Sequence, residues 1–334
     1  MNKIRVGVIS FQHMHALSYT DSLLKLPNVE LIGIADSDNF RGIEMASRFN
    51  TKYFQDYHEL LGLVDGVVIC TSNKLHCKIA VDAARAGKDM LVEKPFATTY
   101  KEAEEMLSEA KKHNVRIMTA FPMRFNASIE EAKIAVNNGD IGDILCITGI
   151  NHGKIPSGWF INKNEAGGGA IMDHTVHLAD LMRWFVGSEC NTVYCEGGEL
   201  IHNKGIDDCG ILTLQFENGV FATIDSSWAH HKNYTIWPEV FMEIIGTKGT
   251  LEVEAFGQTE RVFSVEDNSI NDVVWGSDGD EGLIREFIRS IESKSTPKVT
   301  GLDGAKAMEV ALTAYKSLKS HLVETVEHRF DESK

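Results

Sequence analysis

Over its first third the chain repeats one pattern: a short, nearly continuous apolar run, then a longer stretch with apolar positions three and four apart. The short runs fall at residues 4–10, 29–36, 65–71, 89–92 and 115–121. They are too brief for helices and lack polar alternation, so they read as strands buried on both faces. Helices are predicted between them, at about 15–26, 40–50, 76–86 (stopped by Gly87) and 100–113, and Tyr53-Phe54 enters a further extended segment. Strand and helix alternating in this order specify an α/β fold with a doubly wound parallel sheet. Ligands of such sheets lie at the carboxyl ends of the strands.

The pattern changes after residue 122. Arg124-Phe125 opens a second unit, with a helix at 129–136, a turn at Gly139-Asp140-Ile141-Gly142 and an alternating strand at 144–151. A polar and aromatic loop spans 152–160. Strand-like runs then fill 193–263, with Asn218-Gly219 as a hairpin signal. Residues 266–280 are expected to form a surface loop, 281–293 and 305–326 to be helices, and 327–334 to fray. A length of 334 residues agrees with two domains, set at 1–122 and 123–334.

One helix of the second unit stands apart. Gly167-Gly168-Gly169 ends an extended segment and permits close backbone approach; no breaker follows until Gly187. Nearly every position from 171 to 186 is apolar, as in a buried helix. Yet at 100° per residue Asp173, His177, Asp180 and Trp184 share one stripe. An ionisable stripe on a buried helix is either a satisfied core network or a working site.

Composition narrows the classes. Net charge is −15 without any lysine or arginine run, which argues against nucleic acid. No apolar stretch is long enough to span a membrane. The six cysteines lack C-x-x-C spacing and read as reduced packing residues of a cytoplasmic protein.

In the first unit, strand, turn, helix, strand and acid follow in the order of a nucleotide-binding βαβ unit. Asp36 ends the second strand, where an acid takes the ribose hydroxyls and repels a 2′-phosphate, favouring NAD over NADP. Its other reading is a helix N-cap. The turn departs from G-x-G-x-x-G: it reads Ser10-Phe11-Gln12-His13-Met14-His15, so Ser10, Gln12 and His15 stand where glycines would. Phosphate contacts there fall to side chains, with Ser10, Phe11, Gln12 and His13 as candidates. Lys94, at a strand's carboxyl end, is a candidate cation for a developing alkoxide, and His177 a base of suitable pKa.

Three stretches, Thr71-Ser72-Asn73-Lys74-Leu75-His76, Glu93-Lys94-Pro95 and Gly167 to Asp180, together resemble the glucose–fructose oxidoreductase / inositol 2-dehydrogenase (Gfo/Idh/MocA) family. The resemblance covers nearly the whole chain. It implies a Rossmann-type first domain followed by an α/β domain with a large, mostly antiparallel open sheet, and a homo-oligomer, dimer or tetramer. It implies NAD as cofactor and a sugar, cyclitol or related polyol as substrate. By the same resemblance Lys94, Asp173 and His177 are catalytic. Thr71, Asn73, His76, Glu93 and Lys94 join the cofactor side; Lys94, Arg124, Trp159, Asp173, His174 and His177 join the substrate side. Trp159 has a second reading as core.

Two other classes compete. His13-x-His15 and His174-x-x-His177 have metal-ligand spacings, which allows a metal-dependent lyase or hydrolase on the same scaffold. A non-catalytic dinucleotide sensor is the other. The leading expectation is a metal-free NAD-dependent dehydrogenase.

Overall fold

The computed structural model describes residues 3–264, 269–274, 276 and 279–330. Its first layer contains β1 (Ile4–Ile9), α1 (Ala16–Leu24), β2 (Val29–Ala35), α2 (Asn39–Arg48), β3 (Lys52–Phe54) and α3 (Tyr57–Leu61). It continues with β4 (Gly66–Ile69), α4 (His76–Arg85), β5 (Asp89–Val92), α5 (Tyr100–Lys112) and β6 (Ile117–Thr119). The six strands are all parallel, in the order β3-β2-β1-β4-β5-β6. That is the doubly wound order, and its direction of growth reverses between β1 and β4.

Alternation along the strands explains the apolar runs. Val67, Ile69, Met90 and Val92 point into a core shared with α4 and α5. Val68 and Leu91 point the other way, into the core that contains Tyr19 and Leu23 of α1. Register sets the upper edge: Ala35, Ile9, Ile69 and Val92 stand in one row. The residues just beyond that row, Asp36, Ser10, Thr71, Glu93 and Lys94, are therefore neighbours in space.

The second layer contains α6 (Ala127–Asn138), β7 (Ile144–Lys154), α7 (Lys163–Ala166), α8 (Ala170–Val186), β8 (Cys190–Gly198), β9 (Cys209–Phe216) and β10 (Phe221–His230). After these come β11 (Glu239–Gly246), β12 (Thr250–Glu254), β13 (Thr259–Ser264), β14 (Ser269–Val274), α9 (Asp280–Ser293), α10 (Gly301–Ser320) and β15 (Glu324–Thr325). Seven strands form one sheet, β12-β11-β7-β10-β9-β8-β15, in which only β7 and β10 run parallel. Gly219 takes φ +89° in the tight turn between β9 and β10, as the Asn218-Gly219 signal requires. Helix α8 lies between this sheet and α10. Helix α9 returns to the first layer, where Phe287 and Ile291 pack over Gly66 of β4.

Three expectations change. Within the stretch expected as a surface loop, residues 269–274 form β14 and pair with β13; 266–268, 275, 277 and 278 lie outside the described residues. The last long helix starts four residues earlier than expected and ends at Ser320, where His321 adopts φ +56° and the chain turns into β15. Its start is set by a capping box between Thr300 and Asp303, whose cap residue stands five positions ahead of the first apolar position used to place it. The tail is docked as far as Phe330, which is 8% exposed and packs on Tyr100; residues 331–334 lie outside the described set. Among the described residues no helix is long and apolar enough to cross a membrane.

Candidate active site

The triple glycine does permit a close approach, and what approaches is protein. A Cβ on Gly169 would stand 1.9 Å from the Asp207 carbonyl, and one on Gly168 would stand 2.2 Å from the Tyr315 hydroxyl. These two residues cap α8. The Asp207 carboxylate accepts from Gly169 N–H (3.0 Å) and Ile171 N–H (2.9 Å), its carbonyl accepts from Ala170 N–H, and the Tyr315 oxygen accepts from Met172 N–H. The first-turn donors of the helix are thereby filled.

With α8 anchored, its polar stripe divides in two. At the far end Asp180 accepts two hydrogen bonds from buried Arg124 (2.7 and 2.6 Å), and Trp184 receives the same guanidinium on its ring. At the near end Asp173 and His177 line a cavity of about 240 Å³ together with His13, His15, Lys94 and His174. Lys94 Nζ lies 2.5 Å from Asp173 Oδ1, and Trp228 Nε1–H donates to Asp173 Oδ2 (3.1 Å). Burial alone would push the Asp173 carboxyl up, but the Lys94 ammonium holds it well below the usual range. His177 is neutral at physiological pH: burial, with Lys94 nearby, pushes its pKa well below 6.5. Its Nδ1 is buried without a hydrogen-bond partner, and Phe121 meets the ring edge-on.

A second cavity, of about 280 Å³, opens at the switch point between β1 and β4 and is lined by Ser10, Gln12, Asp36, Thr71 and Lys78. Ser10 adopts φ +69°, so the serine at the first glycine position takes the backbone form that glycine would supply. Gln12 Oε1 accepts from Ser72 N–H (3.0 Å), which ties the turn to the loop after β4. Asp36 does not cap α2; Asp38 does. The Asp36 carboxylate instead accepts from Ser10 Oγ, Phe11 N–H, Asp38 N–H and, twice, Arg41 (2.8 and 2.6 Å). Burial would raise its pKa; Arg41 and the backbone donors lower it. The crevice fits a dinucleotide by position, by its acid and by Lys78, the cation among its lining residues. Its turn presents few free backbone donors, because Phe11, Gln12 and His13 N–H groups are already engaged.

The remaining candidates fall beside these cavities. Phe11 packs on Phe49. Asn73 Nδ2–H donates to the Ala166 carbonyl, and His76 Nδ1 meets the Pro95 carbonyl at 3.0 Å beneath the Lys94 turn. Glu93, fully buried, approaches His15 (3.0 Å) and accepts Lys94 N–H (2.8 Å). Burial pushes the His13 pKa down to about 3 against the pull of Glu93. Two expected substrate contacts lie outside the lining of the cavity. Arg124 lines neither cavity, because Asp180 and Asp303 hold it behind α8. Trp159 donates its indole N–H to the Gln12 carbonyl (3.1 Å) and stacks one face on Phe160 (3.8 Å), so it clamps the turn and is not among the residues lining the cavity. The four-histidine metal set is not assembled among the described residues: His13 and His15 turn to Glu93, while His174 places Nδ1 on the Asn151 carbonyl and Nε2 beside Asp173. Trp228 stood in a stretch of polar aromatics, Trp228 to His231, that the sequence left open between a ligand and a subunit interface; Arg41, Lys78, Asp207 and Tyr315 carried no local signal, and Arg41 alone lies within five residues of its partner.

A parallel sheet with this strand order and acidic edge, joined to a second sheet whose buried helix brings a histidine and an aspartate to Lys94, defines a two-domain nucleotide-dependent oxidoreductase. The chain belongs to the Gfo/Idh/MocA family: residues 4–121 match the oxidoreductase family's NAD-binding Rossmann fold, and 129–252 its Gfo/Idh/MocA C-terminal domain. It is 29% identical to the uncharacterized oxidoreductase YrbE of Bacillus subtilis over 98% of this chain and 97% of that protein. With the myo-inositol 2-dehydrogenase of Thermotoga maritima it shares 27% identity, covering 95% and 96%. The fold also matches the crystal structure of GenD2 from gentamicin A biosynthesis in complex with NAD, with a TM-score of 0.89, 22% identity and 97% of each chain covered. The protein is an enzyme of an NAD-dependent dehydrogenase family whose first domain binds NAD.

Proposed function

We propose that the protein oxidises a secondary hydroxyl of a sugar, cyclitol or related polyol to a ketone. The observation that carries this reading is one cavity lined by a neutral imidazole, His177, and by an ammonium, Lys94, anchored on Asp173. Bound NAD⁺ supplies the hydride acceptor. The substrate hydroxyl sits beside Lys94, whose charge stabilises the oxygen as it gains alkoxide character. His177 accepts the hydroxyl proton on its ring; because burial disfavours the imidazolium, it releases that proton readily to solvent. Asp173, held by Trp228, keeps the Lys94 ammonium in place. A cavity of about 240 Å³ matches a single ring rather than a chain of sugars. Asp36 and Lys78 hold the adenosine side, with NAD(H) favoured over NADP(H).

Support also comes from the relatives: besides the inositol dehydrogenase, a 27% identical protein of Ensifer adhaerens is a 1,5-anhydro-D-fructose reductase. NADH formation with a panel of inositols, pyranoses and anhydrosugars tests the reading. A saturable rate with at least one polyol is expected. NAD(H) binding with no turnover on any polyol, in either direction, would overturn it.

A further inference from the structure

The ends of β7, β10 and β11 carry a second constellation to which the proposed reaction gives no role, although one member, His152, also lines the substrate cavity. Glu239 Oε2 lies 3.2 Å from His152 Nδ1 and 3.2 Å from His230 Nε2, and all three donor atoms fall within 4.8 Å of one another. The Asn151 side chain reaches back to the His174 carbonyl on α8, so strand alternation places His152 on the other face of β7. There it stands opposite Glu239 in register. We infer that His152, His230 and Glu239 bind a divalent transition-metal ion.

The outer nitrogens support this assignment. A metal-bound imidazole directs its remaining N–H to a carboxylate or backbone carbonyl, which fixes its tautomer and ring. His230 has such a partner, the Trp237 carbonyl 3.3 Å from its Nδ1; His152 Nε2 lies 3.0 Å from Asp225 Oδ1, an ion-pair distance outside hydrogen-bond geometry. Tyr234 stacks on the His230 ring at 3.7 Å and 12°, which further limits its rotation. Ligand atoms around a tetrahedral ion with bonds of 2.0–2.1 Å are separated by about 3.3 Å. Two of the three edges already have nearly that length. Two imidazoles and a carboxylate suit zinc, cobalt or manganese, whereas magnesium and calcium prefer oxygen donors. Three protein ligands also leave a coordination position open.

The other histidine–carboxylate group, His13, His15 and Glu93, lacks this organisation. His13 Nδ1 accepts the His15 backbone N–H, and its Nε2 is buried with no partner. His13 thus has no outer hydrogen bond, whereas His230 of the proposed site has one to the Trp237 carbonyl. The His152 site has a structural consequence as well: Trp237 and Pro238 wall the substrate cavity, and an ion on Glu239 and His230 holds the segment between them.

The test uses the full-length protein, stripped with a chelator and titrated with Co²⁺ alone. One equivalent per chain, with the visible spectrum of a four- or five-coordinate ion, is expected. His230→Ala and the near-isosteric Glu239→Gln should abolish that spectrum, while Asp225→Asn should weaken binding about 10–100-fold. His15→Ala should leave it unchanged. No saturable uptake by the unaltered protein overturns the assignment, as does uptake that survives Glu239→Gln or disappears with His15→Ala. A near-native circular dichroism spectrum of Glu239→Gln separates ligand loss from misfolding. Because the titration contains neither dinucleotide nor polyol, its outcome is independent of the dehydrogenase reading.

Discussion

Two buried carboxylates, Asp36 and Asp173, each sit at the edge of a cavity with a cation on one side, and they are built differently. Asp36 accepts five hydrogen bonds from four residues, two of them from Arg41, so the protein fixes its orientation and a ribose hydroxyl must share or replace one of these donors. Asp173 accepts one bond on each oxygen, from Lys94 and from Trp228, and its neighbour His177 keeps a buried nitrogen without a partner. A filled network holds a shape; one with vacancies costs desolvation until a ligand completes it. The nucleotide crevice is thus preformed by its acid, whereas the catalytic cavity is left incomplete for its substrate.

The sharpest way to break this contrast is to remove the incomplete side. His177→Ala should lower kcat/KM for the polyol by about 10²–10⁴ while NAD(H) affinity stays within a few-fold; steady-state kinetics beside a fluorescence titration check both halves. If cofactor affinity fell as far as turnover, the two cavities would not be functionally separate. Lys94→Met should lower kcat by about 10²–10³ and, by leaving Asp173 buried and unpaired, destabilise the fold by about 3–5 kcal/mol. Denaturant melts of the variant and the unaltered protein measure the second effect.

Protonation offers an intermediate probe. The competent form of His177 is neutral, and its pKa lies well below 6.5. Activity should therefore stay level as pH falls through 6.5, and the acid limb should begin only beneath it. A limb centred at or above 6.5 would remove His177 from the role of base.

On the filled side, Asp36→Ser should narrow the preference for NAD(H) over NADP(H) by about 1.5–3 kcal/mol, roughly a 10- to 150-fold change in the ratio of dissociation constants. Equal binding of both cofactors to the unaltered protein would contradict the assignment of Asp36. The smallest effect is expected at Gln12. Its amide oxygen fastens the turn to Ser72, so Gln12→Gly should give no gain in NAD(H) affinity, although it restores a fingerprint glycine. Tighter binding would mean that the side chain merely obstructs the phosphates.

The sequence was most legible where one residue type at one spacing has one physical outcome. Continuous apolar runs gave the parallel sheet, and the 100° stripe put Asp173 and His177 on one side of α8. Lys94 followed from its place at a strand end. What stayed hidden depended on remote partners. Arg124 looked available for a ligand until Asp180 took it; Trp159 looked free until Gln12 and Phe160 did. The histidines of the first turn and of α8 share metal-like spacings, but the fold turns them toward different carboxylates, Glu93 and Asp173. A stretch of polar residues and glycines around 270 reads as a loop because pairing between β13 and β14 supplies the order that its own propensity does not.

The cap on α8 has a consequence for how the chain is made. Its first-turn amides are satisfied by Asp207 and by Tyr315, the latter 146 positions beyond Gly169. Contacts of such sequence separation require long loops to close and so form late. A nascent chain that has not yet delivered residue 315 holds Asp173 and His177 on a helix whose end is unfinished. Assembly of the reactive cavity is thereby tied to completion of synthesis, and a polypeptide truncated within α10 before Tyr315 would emerge with its chemistry unassembled.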